Sequence, residues 1–170
     1  MPLISDEYKE LNRKLHEDNK NYGTKGMKYL DNVMEIIKEY DTKDLLDYGC
    51  GKSTLGNNLP FPIHHYDPAI EKYKQRPSPA DIVVCTDVLE HIEPEYLDEV
   101  LDDLKTLVKK VGFFAIHLQA AYKTLSDGRN AHLSLFSREE WESKIKERFT
   151  IIKSSDDEFH LIIMVTPKEI

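Results

Sequence analysis

The chain has 170 residues, of which 40% are hydrophobic and 32% are charged, and its formal net charge is −8 at neutral pH. This is the composition of one ordinary globular domain, and no apolar run is long enough to cross a bilayer. The acidic balance argues against a nucleic-acid partner, because such proteins usually carry a basic surface that neutralises phosphates.

The first part of the chain predicts two helices, over residues 5–20 and 27–40. In both segments apolar side chains recur at helical spacing. Ser5 begins a capping pattern at the start of the first helix.

From residue 44 onward, short apolar runs alternate with helical patterns. The predicted strands are 44–48, 63–66, 81–85, 111–118, 149–153 and 159–166, and the predicted helices between them are 53–59, 94–108 and 137–148. Ser137 and Glu140 form a capping box for the last helix. We therefore predict an α/β fold, a Rossmann-like three-layer sandwich with a mostly parallel sheet. The last two runs pair as a hairpin and add one antiparallel strand.

The segment DLLDYGCGKSTL follows the first predicted strand and contains the letters of a phosphate-binding loop. That loop requires G-x-x-x-x-G-K-[ST], but the first glycine position is occupied by Leu46, inside the strand. The dinucleotide fingerprint G-x-G-x-x-G fits only in part, because Gly49 and Gly51 are followed by Thr54 at the third position. Neither nucleotide motif is complete.

The pattern D-x-G-C-G after a strand resembles the first motif of class I S-adenosylmethionine-dependent methyltransferases. The resemblance implies that Asp47 faces the ammonium group of the cofactor, while Gly49 and Gly51 let the backbone approach it. Asp67 ends the next strand, eighteen residues after Gly49, where a carboxylate can accept both ribose hydroxyls.

The segment ADIVVCTDVLEHI also resembles this family, whose members often carry a strand followed by D-V-L-E-H-I and a long helix. The resemblance covers residues 44–118 and adds Thr86 and Asp87 as cofactor-binding candidates. Only thirteen residues, three of them prolines, separate Asp67 from Asp81, where the family usually has a helix and a strand. We therefore predict that family strand 3 is missing or reduced, giving the order 2-1-4-5-7-6.

Two further expectations depend on this resemblance. The shortened segment has to hold the adenine, with Ile70 or Tyr73 as ring contacts. Residues 1–40 of a single domain spanning 1–170 form a helical lid over the cofactor, as in many small-molecule methyltransferases. The lid would include a loop that could equally be a plain helix connection, Tyr22, Gly23, Thr24 and Lys25.

Asp87, Glu90 and His91 are spaced at i, i+3 and i+4, which places them on one face if a helical turn begins at Asp87. Carboxylates and imidazole can bind a divalent cation. The segment is similar to E-x-x-E-H of quinone-biosynthetic O-methyltransferases, in which the corresponding residues bind a metal. The alternative is that Glu90 and His91 brace the site by hydrogen bonds.

His117 and His132 are the candidate catalytic residues, because they lie in and after the fourth strand, where relatives place acceptor-binding residues. Either imidazole could act as a general base, and either could instead be a structural hydrogen-bonding group.

The sequence thus favours transfer of a methyl group from S-adenosylmethionine to an oxygen or nitrogen of a small-molecule acceptor. The tetrad [DNS]-P-P-[YFW] of DNA amino-methyltransferases is absent, which disfavours a nucleobase as the acceptor. The alternatives are a non-catalytic cofactor-binding or scaffold protein with the same fold and, with less support, a dehydrogenase. The chain is similar to compact phage or bacterial members. The amino-terminal residues do not resemble a signal peptide, and the two cysteines give no disulfide framework, so we expect a cytoplasmic protein with free thiols.

Overall fold

A computed structural model describes residues 3–18, 20 and 25–169 of the chain. The helices are α1 (Asp6–Asp18), α2 (Leu30–Tyr40), α3 (Thr54–Asn58), α4 (Leu97–Leu107) and α5 (Arg138–Lys146). The strands are β1 (Leu45–Tyr48), β2 (His64–Tyr66), β3 (Ala80–Thr86), β4 (Val108–His117), β5 (Phe149–Asp156) and β6 (His160–Pro167). Short 3-10 turns cover Lys25–Tyr29, Glu71–Tyr73, Leu89–His91 and Pro94–Tyr96.

The six strands form one sheet in the order β2-β1-β3-β4-β6-β5. The pairs among β1, β2, β3 and β4 are parallel, whereas β6 is antiparallel to both β4 and β5. This arrangement confirms the predicted α/β fold with one antiparallel strand. It also confirms the predicted order, because β3, β4, β6 and β5 occupy the places of family strands 4, 5, 7 and 6.

Apolar side chains fill the space on both faces of the sheet and make the molecule three layers deep. On one face α4 and α5 contribute Leu101, Leu104 and Trp141, all fully buried. On the other face α2 packs Val33 and Ile36 against the sheet. Burial on both faces explains why the central strands read as continuous apolar runs rather than alternating ones.

The segment that replaces family strand 3 contains only the turn Glu71–Tyr73. It is held to α4 by Arg76, whose guanidinium lies 2.5 Å from the buried Asp103 carboxylate. The other oxygen of Asp103 accepts a hydrogen bond of 3.0 Å from the Tyr48 hydroxyl. The contact between Arg76 and Asp103 therefore links this short segment to α4 in the absence of a crossover helix.

The ends of two elements are set by polar side chains. The capping box of α5 forms as predicted, with Ser137 and Glu140 each bonding the other's backbone N–H. Strand β4 begins at Val108, three residues earlier than predicted, and its Lys109 and Lys110 contact Asp81 of β3 at 3.1 and 2.9 Å. Among the described residues, no helix is long and apolar enough to cross a membrane.

Candidate functional site

A cavity of about 780 Å³ opens where the four parallel strands end. The carboxyl ends of β1, β2, β3 and β4 contribute Asp47, Asp67, Thr86 and His117 to its lining. Ligands of open parallel sheets usually bind at this edge. The fold thus gathers residues from four separate segments at one place.

The turn after β1 requires glycine for two different reasons. Gly49 and Gly51 have φ values of +77° and +52°, in the left-handed region that other residues rarely adopt. The N–H groups of Gly49 and Cys50 both donate to the Tyr66 carbonyl, at 2.7 and 3.0 Å. A Cβ on Gly49 would lie 2.3 Å from Cγ2 of Val88. The backbone is therefore pressed closely against the segment after β3.

Asp67 is fixed by the backbone around it. Its carboxylate accepts 2.9 Å hydrogen bonds from the N–H groups of Gly51 and Ala69, one on each oxygen. Burial raises the pKa of Asp67, and these two hydrogen bonds oppose the increase. Each carboxylate oxygen has a second lone pair, so Asp67 can still accept hydroxyl protons from a ligand.

Asp47 lies at the end of β1 and is 5% exposed. Burial, together with repulsion from Asp67, raises the pKa of Asp47 to about 7. Two neighbouring buried carboxyls, one of which is costly to ionise beside the other, favour a ligand with a positive charge. This end of the cavity therefore suits a cationic, hydroxyl-bearing molecule.

Helix α1 covers the same end of the cavity with Tyr8, Asn12 and His16. Burial lowers the pKa of His16, and nearby Lys52 lowers it further while Asp67 opposes the change. Our sequence reasoning missed these three residues. Their spacing of four residues was the available signal, because it places them on one helix face.

The remaining cofactor candidates fall into two groups. Tyr22, Gly23 and Thr24 lie outside the described residues, and the side chain of Lys25 is also not described. The cavity lining described above includes neither of the expected adenine contacts: Ile70 lines a neighbouring pocket, and the Tyr73 ring packs on His65 at a centroid distance of 5.0 Å.

Asp87 has a φ of +54°, and its N–H donates to the Ala115 carbonyl of β4 at 2.9 Å. The helical turn therefore begins later, at Leu89. Because no turn starts at Asp87, this residue does not share a helix face with Glu90 and His91. Asp87 lines the cavity from the end of β3.

A cluster of imidazoles lies on the side of the cavity where β4 ends and β6 begins. The ring of His132 is 4.7 Å from that of His91 and 4.8 Å from that of His117, and His117 is 4.8 Å from His160. Glu90, which is fully buried, accepts a 3.2 Å hydrogen bond from the His117 backbone N–H. The structure thus brings His117 and His132 together with Glu90 and His91, although they are distant in sequence.

Both predicted catalytic histidines contact the backbone of Gln119. Nδ1 of His132 lies 2.5 Å from the Gln119 carbonyl oxygen, so this nitrogen carries the ring proton and Nε2 keeps a lone pair. Nδ1 of His117 lies 3.1 Å from both the N–H and the carbonyl oxygen of Gln119, so it can accept from the first or donate to the second. His132 is therefore suited to accept a proton.

Comparison with known proteins places this site in context. The family model described as a methyltransferase domain matches residues 20–150. No curated protein matches the chain.

Several solved structures share the fold. The 1,6-didemethyltoxoflavin-N1-methyltransferase of Burkholderia thailandensis, solved with S-adenosylhomocysteine, has a TM-score of 0.66 and 14% identity over 99% of this chain and 93% of its own. N-methyltransferase NodS of Bradyrhizobium japonicum, also solved with S-adenosylhomocysteine, has a TM-score of 0.60 and 14% identity over 97% and 100%. Magnesium protoporphyrin IX methyltransferase of Synechocystis has a TM-score of 0.57 and 15% identity over 83% of both chains.

Proposed function

The chain belongs to the family of methyltransferase domains, and from this premise we propose that it transfers the methyl group of S-adenosylmethionine to an oxygen or nitrogen of a small-molecule acceptor. The observation that carries the proposal is a single cavity with a pair of buried acids at one end and a cluster of imidazoles at the other. The resemblance to class I methyltransferases is thereby confirmed at the level of the family.

The acid end suits the cofactor. Asp47 would face the ammonium group of its methionine part, and the turn at Gly49 and Gly51, which carries no side chain at these two positions, would let the backbone approach the cofactor closely. Asp67 would accept the two ribose hydroxyls. Thr86 and Asp87 border the same space from the end of β3.

The imidazole end suits the acceptor. In methyl transfer the acceptor atom attacks the methyl carbon, the carbon–sulfur bond breaks, its electron pair stays on sulfur, and S-adenosylhomocysteine leaves. Alignment of the acceptor atom with the methyl group supplies most of the acceleration of the reaction. His132 would take the acceptor proton on Nε2, and His117 would orient the acceptor by a hydrogen bond.

A small acceptor fits the size and charge of the site. A cavity of about 780 Å³ shared with the cofactor leaves room for a compact molecule. The net charge of −8 argues against nucleic acid as the acceptor. One structural neighbour is an N1-methyltransferase solved with the small molecule 1,6-didemethyltoxoflavin, and another is the N-methyltransferase NodS. The expected divalent ion at Asp87, Glu90 and His91 stays a prediction.

Calorimetric titration with S-adenosylhomocysteine tests the donor end. We expect Asp67→Asn to weaken binding at least tenfold, because the acceptor of the ribose hydroxyls loses its charge. Asp98→Asn, on the exposed side of α4, is the matched control and should leave binding unchanged. No binding by the unaltered protein would overturn the proposal, and binding of NAD instead would indicate a dehydrogenase.

Incubation with methyl-deuterated S-adenosylmethionine and a metabolite extract, followed by mass spectrometry, tests catalysis. We expect a labelled small molecule and a matching amount of S-adenosylhomocysteine, both reduced about 10²–10⁴-fold in His132→Gln if this histidine is the base. Cofactor binding with no labelled product from extracts of any source would indicate the scaffold alternative.

A further inference from the structure

We propose that Glu90, His91 and His132 form a binding site for a divalent transition metal at the acceptor end of the cavity. One ligand atom from each of the three lies within 4.8 Å of the other two. Ligand atoms around a tetrahedral zinc ion are separated by roughly 3.3 Å, which follows from metal–ligand distances of about 2.0 Å. Small side-chain rotations are therefore enough to bring the three donors onto one ion.

The backbone partners of the two histidines determine which ring nitrogen carries the proton. Nδ1 of His91 lies 2.8 Å from the Ala131 carbonyl oxygen, and Nδ1 of His132 lies 2.5 Å from that of Gln119. A carbonyl only accepts, so each Nδ1 carries a proton and each Nε2 keeps its lone pair. Metal-binding histidines usually have this kind of partner on the other ring nitrogen.

The two segments that supply the donors are joined by further hydrogen bonds. The Glu90 carbonyl accepts from the Ser134 N–H at 2.9 Å, and the Ser134 hydroxyl donates to the Ile92 carbonyl at 2.6 Å. Glu90 itself is fully buried, and the His117 N–H donates to its carboxylate. The donors are thus held before any ion arrives, which lowers the entropy lost on binding.

The donor set selects the metal. Two imidazole nitrogens and one carboxylate oxygen favour Zn²⁺, Fe²⁺, Mn²⁺ or Co²⁺ over Mg²⁺ and Ca²⁺, which prefer oxygen donors. All three residues line the cavity, so a fourth position would face the acceptor. When bound, such an ion lowers the pKa of a nearby hydroxyl. This consequence rests on the proposed function and favours an oxygen acceptor.

The site differs from the one expected from sequence. The spacing pointed to Asp87 as the third ligand, whereas the group that meets the distance requirement includes His132, forty-one residues beyond His91. It also gives His132 a second possible role. The same Nε2 cannot be both a metal ligand and a base, and metal titration separates the two roles.

Cobalt provides the test because its visible absorption reports low-coordinate nitrogen and oxygen ligands. Protein stripped with a chelator and dialysed is titrated with Co²⁺, without cofactor or acceptor. We expect one equivalent to bind with increased visible absorption, and Zn²⁺ to displace it. His132→Gln and His91→Gln should each weaken Co²⁺ binding at least tenfold.

His160→Gln is the matched control, because His160 belongs to the same imidazole cluster but not to the metal group. We expect it to bind Co²⁺ like the unaltered protein. Equal losses in His160→Gln and His132→Gln, or no absorption change in the unaltered protein, would overturn the proposal. Circular dichroism establishes that each variant is folded, and Zn²⁺ should raise the melting temperature of His160→Gln but not of His132→Gln. A negative result would contradict the metal site alone and not the proposed methyl transfer, because the titration contains neither cofactor nor acceptor.

Discussion

Asp47 is a buried carboxyl whose ionisation has opposite effects on the stability of the empty protein and on binding of a cation. Burial and the neighbouring Asp67 raise its pKa to about 7, whereas an unfolded aspartate titrates near pH 3.9. Between about pH 4 and 7 the folded protein keeps a proton that the unfolded chain has lost. The free energy of unfolding therefore decreases as pH rises through this window, by roughly 4 kcal/mol at most.

Asp47→Asn should accordingly raise the melting temperature of the ligand-free protein at pH 8 and change it little at pH 4, where the carboxyl is neutral in both states. At pH 8 it should also weaken S-adenosylhomocysteine binding. Asp81→Asn is the control of opposite sign, because hydrogen bonds, chiefly from Lys110, lower the pKa of Asp81 to about 2. It should lower the melting temperature at pH 8. A destabilised Asp47→Asn at pH 8 would contradict the assignment.

Gly49 combines a left-handed backbone with a close contact, and the two effects can be separated. Gly49→Ala should cost more than the roughly 1–2 kcal/mol of the backbone conformation alone, because its Cβ meets Val88. Gly128→Ala measures the conformational part, since its φ is +90° and nothing lies within 4 Å. Adding Val88→Ala to Gly49→Ala should recover the excess, as measured by denaturant unfolding. No recovery would mean that the contact with Val88 is not the cause.

At this scale the acids and glycines of the cofactor end were predictable, because a local motif specifies them. The positive φ of Asp87 was not, since it depends on a hydrogen bond to Ala115 in another strand. The meeting of His132 with Glu90 was equally hidden, because only the folded sheet brings β4 and the segment after β3 to the same edge.

Among the elements, the segment between β2 and β3 is joined to α4 by Arg76, which contacts the Asp103 carboxylate and, at 3.5 Å, the Thr106 hydroxyl. Arg76→Ala would leave the buried Asp103 carboxylate with the Tyr48 hydroxyl as its remaining hydrogen-bond donor in the described contacts. Because the Arg76 side chain is 62% exposed, solvent screens part of the loss, and we expect about 1 kcal/mol. Hydrogen exchange in residues 68–79 should become faster. Lys74→Ala, which removes an exposed ion pair with Glu71, is the control and should change neither quantity.

The element order was predictable because buried strands and amphipathic helices have different periods, and because three prolines leave no room for a crossover helix. The residues at which the elements begin and end were less predictable. The early start of β4 results from Lys109 and Lys110 pairing with Asp81, a contact between strands that no local pattern encodes. The turn at Asp87 was misplaced for the same reason.

In the whole molecule, α1 covers the cavity and is anchored by Ser5, whose N–H and hydroxyl both donate to the Glu93 carboxylate at 2.8 Å. Its role as a lid stays a prediction. Ser5→Ala should loosen this anchor and speed dissociation of S-adenosylhomocysteine severalfold in stopped-flow measurements, with a small change in melting temperature. Arg13→Ala is the control, because Arg13 pairs only with Glu10 and Glu17 of its own helix in the described contacts. Equal dissociation rates in both variants would argue against a lid.

Loss of family strand 3 leaves β2, three residues long, as the outermost strand on that side of the sheet. Pro62 lies just before it, and the exposed His64 lies within it. An edge strand presents unpaired backbone groups with which another chain can pair, and long, flat edge strands carry the greatest risk of aggregation. Because β2 is so short, this edge has few unpaired backbone N–H and C=O groups with which another strand could pair. The short segment between β2 and β3 therefore leaves a sheet edge that is poorly suited to pairing with another chain.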